Sequence, residues 1–235
     1  MNGVILTEPP RASHDAVAEL AGLGVATVHE AMGKTGSLGA ALTPIQRGVR
    51  IAGTAVTALC APGDNLMIHA AVEQCGPGDL LVVALSGPAE PYGMFGELFA
   101  TALARRGVVG LVIDSGVRDT AELREMGFPV WSRYVCVQGT VKANPGSVNV
   151  PVTIAGQVID AGDVVIADDD GVVRVPRDGV DQVLEASRAR IAKEEASRAA
   201  FAGGQLGLDR YGLRERLLEL GVVTRTHAEH ASEVS

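Results

Sequence analysis

"GMFGELFATALARRGVVGLVIDSGVRDTAELREMG", residues 93–127, decides how this chain folds. Its first part, 93–107, has the spacing of a helix entered through glycines and closed by Gly107. The next run, 108–114, is short, apolar and rich in β-branched residues, so it reads as a buried strand ending at Asp114. Residues 119–127 return to helical spacing. Asp119 and Glu122 stand at N-cap and N3 positions, and Gly127 suits the C′ position. Helix, strand and helix in direct succession are the rhythm of an α/β domain. One feature is unexplained by that rhythm. A fixed cation, Arg118, sits directly beside a carboxylate, Asp119, where strand passes into helix. It is an ion pair, a helix cap or part of a site.

Working outward, 13–33 reads as helix with Ser13 as N-cap, split in two at Gly22 or Gly24. Residues 49–62 read as a strand or strand pair, and 63–75 as a helix. "PGDLLVVA" (77–84) and "AGDVVIAD" (161–168) share a Gly-Asp step into an apolar run, a repeated turn-to-strand device. Residues 161–176 read as a hairpin turning at Asp170-Gly171. A charged helix covers 178–200, "FAGGQ" breaks it, "LDRYGLRERLLELG" forms a second amphipathic helix, and the last residues fray. These features divide the chain into an α/β domain at 1–176 and C-terminal helices at 177–235. The apolar stripes of those helices would pack on a neighbouring subunit.

Bulk composition narrows the function. Of 235 residues, 47% are hydrophobic and 20% charged, which suits a packed soluble domain. Twenty Lys and Arg against 28 Asp and Glu leave a net charge of −8 with no basic cluster. That argues against nucleic acid and anionic membranes as partners. Three dispersed cysteines form no CxxC pair, so they read as small apolar residues in a reducing cytoplasm. The N-terminus lacks the pattern of a signal peptide, and no apolar run nears the ~20 residues needed to cross a bilayer. Aromatics are 3%, too few for stacking platforms. GxGxxG, Walker and GxSxG motifs are absent.

Three clusters remain as candidate chemistry. Gly96 heads a helix whose first amides, at Glu97, Leu98 and Phe99, lack intrahelical partners and lie at the positive end of its dipole; a small carboxylate can dock there. Arg118 offers a rigid fork of donors for an oxyanion, and Asp119 offers an oxygen for a hard cation. Asn65, His69 and Glu73 are four apart and share one helical face, either a metal triad or an ordinary polar face. Lys142 is a cation in the loop "GTVKANPGS".

Together with "TVHEAMGKTG", "PGDNLMIHAAVEQ", "MGFPVWSR", "GTVKANPGSVNVPV", "GDVVIADDDGVV" and "GLDRYGLRERL", the opening stretch resembles the 4-hydroxy-4-methyl-2-oxoglutarate / 4-carboxy-4-hydroxy-2-oxoadipate aldolases of the RraA-like superfamily. The resemblance runs from about Thr27 to Leu217. It implies an α/β fold of the swivelling β/β/α type, with a C-terminal helical extension. It also implies a cytoplasmic homotrimer or homohexamer with active sites between subunits. The activity implied is class II aldol cleavage of an oxo-acid substrate to pyruvate, dependent on Mg²⁺ or Mn²⁺, with oxaloacetate decarboxylation on the side. The backbone at Gly96, Glu97, Leu98 and Phe99 would hold the pyruvate moiety. Arg118 would face the enolate, Asp119 would bind the metal, and Glu97 would be the acidic residue that precedes the Arg-Asp pair. Glu194, with Glu195 beside it, would reach the metal's water shell from a neighbour. Asn65 and Lys142 would take the far carboxylates. The segment 86–95 departs from the Cys/Thr-rich stretch of those aldolases. Two other readings stay open: a dedicated oxaloacetate decarboxylase, and a non-catalytic regulator that binds a partner protein.

Overall fold

A computed structural model describes residues 3–234 and divides after Arg188 into two compact units. The first opens with α1 (His14–Leu23) and α2 (Val25–Ala31), followed by β1 (Thr43–Pro44), β2 (Ile51–Cys60) and α3 (Leu66–Gln74). Then come β3 (Asp79–Leu85), β4 (Gly93–Phe95), α4 (Glu97–Arg105), β5 (Gly110–Val117), α5 (Thr120–Glu125) and β6 (Val130–Val135). The β-rich remainder is β7 (Ser147–Val148), β8 (Val152–Ile154), β9 (Gln157–Ile159), β10 (Val164–Asp168) and β11 (Gly171–Val175), and α6 (Val180–Ala202) starts after it.

The main sheet has the order β1-β6-β5-β3-β2-β10-β11, with β4 on β5 and β7 on β2. Its centre, β2-β3-β5-β6, is parallel, and β10 and β11 join antiparallel. Parallel strands covered on both faces must be apolar throughout. Accordingly, Leu80 to Ala84 of β3 are fully buried. Alternate residues then sort into separate cores. Leu81, Val83, Leu111 and Ile113 face α3, α4 and α5. Leu80, Val82, Val112 and Trp131 face Val152, Ile154 and Ile159 of the β8–β9 hairpin, and also Val165 and Ala167 of β10, so the sheet curls around this second core. The opposite side of β10 and β11 packs on α1, α2 and the first turns of α6.

The repeated Gly-Asp device is real at atomic level. In each copy the glycine takes positive φ (Gly78 +79°, Gly162 +96°), and the Asp carboxylate accepts the amide three residues back: Gly76 to Asp79 at 2.7 Å, Asp160 to Asp163 at 2.9 Å. Each carboxylate also holds an arginine. Asp79 takes Arg11 at 2.8 Å, anchoring the N-terminal segment, and Asp163 takes Arg174 at 2.6 Å.

Several local expectations change. Ser13 makes no capping bond; the carboxylate of Asp168 caps α2 at Val25 N instead, 3.0 Å. Residues 49–62 contain one strand. Residues 93–95 are not helix but a short strand, β4, because they pair in parallel with β5 beyond a register shift. β5 does not stop at Asp114. It continues to Val117, and Asp114 pairs with Arg133 of β6 at 2.6 Å. The hairpin's two-residue loop is Asp169-Asp170, since Asp168 pairs with Gly171.

The second unit, Ala189 onward, holds the rest of α6, α7 (Gly207–Arg210), α8 (Leu213–Glu219) and α9 (His227–Val234). The expected single amphipathic helix is two, broken at the left-handed Gly212. The expected frayed end is helical, because Thr226 and Glu229 form a reciprocal capping box: Glu229 Oε2 accepts Thr226 N at 2.7 Å, and Thr226 Oγ1 accepts Glu229 N at 3.2 Å. No described helix is long and apolar enough to cross a membrane.

Candidate active site

The candidate site is a cleft of about 430 Å³ at the carboxyl ends of the parallel strands, where open α/β sheets bind ligands. Asn65, His69, Val72 and Glu73 reach it from α3 and its cap. Gly96, Leu98, Phe99 and Ala102 reach it from α4, Arg118 and Asp119 from the end of β5, and Lys142 from a loop. Residues far apart in the chain meet because β2 and β5 end at the same edge of the sheet. The polar face Asn65-His69-Glu73 does line the cleft. Among the described residues no three His, Cys, Asp or Glu side chains converge as a metal site.

Arg118 is fixed by its backbone, whose N–H donates to Phe95 O at 2.9 Å. Asp119 then adopts the left-handed conformation, φ 54° and ψ 42°. It occupies the N-cap position of α5 but makes no capping bond there. Its carboxylate turns to the other helix. Asp119 Oδ2 accepts the Glu97 N–H, the first amide of α4, at 3.2 Å, and lies 3.6 Å from Arg118 Nε. So Asp119 caps α4 rather than α5. A charge sits there because the first-turn amides of a helix are unpaired and positively polarised. The carboxylate approaches so closely that a Cβ on residue 96 would lie 2.3 Å from Asp119 Oδ2 and 3.2 Å from Arg118 Cγ. Gly96 is in extended backbone, φ −160°, which any residue adopts. Glycine stands there for space.

The Glu97 side chain is directed along its own helix, with Oε1 accepting the Thr101 hydroxyl at 3.1 Å, and it does not line the cleft. Asn65 is buried; its Nδ2 donates to Met94 O at 3.1 Å, which leaves Oδ1 buried without a partner. The His69 ring packs on Phe99 at 4.4 Å between centroids. Burial, and then the charge of Lys142, hold its pKa below the ordinary histidine value. Glu194 and Glu195 belong to the second unit, where each pairs within α6: Glu194 with Arg190 at 2.8 Å, Glu195 with Arg198. Val72 and Ala102, not singled out from the sequence, complete the lining. The spacing of Ala102 four residues after Leu98 on one helix face was the available signal for Ala102.

The donor set bears on a metal. Among the described residues only Oδ2 of Asp119 is engaged, which leaves Oδ1 for a cation. One carboxylate oxygen with open space beside it fits an ion that keeps most of its waters, as Mg²⁺ does. It does not fit an ion that needs three or four protein ligands.

Comparison with known proteins identifies the family. Residues 25–174 match the family described as RraA-like, Aldolase/RraA. A Halalkalibacterium halodurans protein, provisionally named 4-hydroxy-4-methyl-2-oxoglutarate aldolase, is 25% identical over 86% of this chain and 95% of its own length. The Thermus thermophilus protein named 4-hydroxy-4-methyl-2-oxoglutarate aldolase is 30% identical over 48% of this chain and 68% of its own. Among solved structures, Streptomyces coelicolor RraAS2, described as an unusual member of the RNase ES inhibitor RraA family, superposes with a TM-score of 0.73. It is 28% identical, over 80% of this chain and 98% of that one. The family match spans more than half of the chain, and the chain belongs to the RraA-like family.

Proposed function

We propose that the chain is a class II aldolase dependent on Mg²⁺ or Mn²⁺. It cleaves 4-hydroxy-4-methyl-2-oxoglutarate or 4-carboxy-4-hydroxy-2-oxoadipate to pyruvate and a second oxo acid, and decarboxylates oxaloacetate as a side reaction. The observation that carries the reading is the junction of Arg118, Asp119 and the α4 N-terminus in one cleft, tied by the Glu97 N–H to Asp119 bond. The names of two relatives support the same reaction.

Retro-aldol cleavage removes the proton from the C4 hydroxyl and breaks the C3–C4 bond. The electron pair moves onto the 2-oxo group as an enolate, and protonation at C3 then gives the pyruvate methyl. Arg118 presents fixed donors to the oxygen that gains charge, which stabilises the transition state more than the ground state. Asp119 spends the Glu97 amide, so the substrate carboxylate falls to the amides of Leu98 and Phe99. Asp119 would hold the divalent cation, which when bound would supply a Lewis acid for the 2-oxo acid. A carboxylate-held water takes the hydroxyl proton. Glu194, or Glu195, is the carboxylate expected there from a neighbouring copy in a trimer or hexamer. Leu218 and Val223 of the second unit, 73% and 67% exposed, are apolar surface such an assembly would cover.

The test is pyruvate release from both aldol substrates and oxaloacetate, after EDTA treatment and with Mg²⁺ or Mn²⁺ restored. Activity lost and regained is expected, and full activity without metal removes the metal from the reading. Faster turnover of oxaloacetate than of either aldol substrate makes the chain a decarboxylase first. The likeness to RraAS2 favours one further reading, a regulator that binds a partner protein. Absence of pyruvate release from all three acids selects it.

A further inference from the structure

Asp64 does not line the cleft. Its residue is 1% exposed, and among the described residues no ion pair reaches its carboxylate. All its compensation comes from N–H donors. Oδ1 accepts the Leu66 amide at 2.8 Å, at the start of α3. Oδ2 accepts the amides of Ala143 and Asn144, both at 2.7 Å, and Asn144 Nδ2 at 3.2 Å. A short backbone ladder adds to this, Val141 N to Gly63 O at 3.0 Å and Asn65 N to Val141 O at 3.1 Å. Lys142 sits between these two fastenings. Ala143 and Asn144 are solvent-exposed, so hydrogen bonds more than burial fix the position of the lysine. Such charge-assisted bonds are short and strong, and a buried carboxylate is costly to keep for any lesser purpose.

We propose that Asp64 is the positioning residue of a second anion subsite. By clamping the backbone on both sides of Lys142, it holds that ammonium over the cleft, where it takes the far carboxylate of a dicarboxylic or tricarboxylic oxo acid. The inference rests on the aldolase reading, with Lys142 at the far carboxylate, and deepens it by naming the residue that positions Lys142. Burial first, and then the charge of Lys142, lower the affinity of the His69 ring for a proton.

The experiment compares wild type, Asp64→Asn, Lys142→Ala and the double variant in pyruvate release from 4-carboxy-4-hydroxy-2-oxoadipate. Oxalate, which mimics only the pyruvate enolate, serves as inhibitor. Losing one charge-assisted contact predicts a KM raised about tenfold in Asp64→Asn, with kcat changed little and oxalate inhibition unchanged. The double variant should be no worse than Lys142→Ala alone, because both changes remove one function. Unchanged KM in Asp64→Asn, equal loss toward oxalate, or additive losses in the double variant overturn the inference. If Asp64→Asn does not fold, Asn144→Ala, which removes one bond on the exposed side, carries the same expectations at two- to threefold. Wild type that releases no pyruvate from this substrate, from 4-hydroxy-4-methyl-2-oxoglutarate or from oxaloacetate overturns the aldolase reading and this inference with it. An active wild type with additive variants overturns this one alone.

Discussion

Gly96→Ala separates the stability of this fold from its chemistry. The new methyl would stand 2.3 Å from Asp119 Oδ2 and 3.1 Å from its Cγ. Ordinary contact needs at least about 1 Å more. Backbone conformation is not the obstacle, since residue 96 is extended. The obstructing atom is the far end of a side chain, which can swing away. That swing breaks the 3.2 Å bond from the Glu97 N–H. Because Asp119 is 38% exposed at its side chain, water replaces much of what is lost, and the stability cost is only about 1 kcal/mol. For a chain of this size that lowers Tm by about 2–4 °C. The reaction has no such relief. On the aldolase reading, a displacement near 1 Å of the carboxylate that would hold the metal should cost about a hundredfold in kcat/KM, or about 2.7 kcal/mol. Thermal unfolding and pyruvate release, measured on the same preparation, test the two numbers together. Gly93→Ala is the contrast: its methyl would lie 2.4 Å from the backbone oxygen of Cys136, which cannot swing, so it should lose about 1–3 kcal/mol of stability first. Wild-type kcat/KM in Gly96→Ala would refute the assignment of Asp119.

Three further outcomes follow from particular side chains. Arg118→Lys keeps the charge but loses the planar fork, and should lower kcat/KM at least about a hundredfold; a near-wild-type rate removes Arg118 from the reaction. Burial works to raise the Asp64 pKa, but the donors at Leu66, Ala143 and Asn144 overcome it and hold the group below the ordinary value. Its stabilisation is therefore complete above the unfolded pKa, about 3.9, and fades as pH falls through the lower folded value. Asp64→Asn should be less stable at pH 7 and lose less on acidification below about pH 4, as read by denaturant titration across pH. Burial pushes the thiols of Cys60 and Cys75 up to about 12, so at pH 8 the native protein should react with a disulfide reagent at Cys136 alone, and at all three only after unfolding.

What the sequence made legible follows from period and from chemistry that is local. The β-branched runs at 51–60 and 110–117 and the glycine-punctuated helices give the α/β order, because burial on two faces leaves strands no polar positions. Strand ends were harder. Asp114 looks like a stop, yet it continues β5 because Arg133 on the adjacent strand neutralises it, and a cross-strand partner is invisible along one chain. The residues 93–95 were absorbed into a helix for a related reason: their strand character comes from pairing with β5, not from their own propensity. The site residues could be named singly. Their assembly could not, since Asn65, Gly96, Arg118 and Lys142 meet only through sheet topology.

Asp119 shows why the residue type at the junction is restricted twice over. Successive side chains on a strand point to opposite faces, so an extended residue after Arg118 would turn its carboxylate away from the cleft. The left-handed conformation, φ 54°, reverses the chain direction there and brings both side chains to the same opening. Asp and Asn enter that region at low cost, whereas longer and branched residues do so rarely. The two requirements, backbone tolerance and a carboxylate of short reach, can be pulled apart. Asp119→Asn satisfies the first and not the second: it should unfold within about 1 kcal/mol of wild type yet lose metal-dependent activity by at least about a hundredfold. Asp119→Glu satisfies the charge but not the backbone, and its extra methylene pushes the carboxylate past the Glu97 amide. It should lose both stability, by about 1 kcal/mol or more, and activity. If Asp119→Glu were the more active of the two, the carboxylate would matter without its geometry, and the left-handed turn would have no part in building the site.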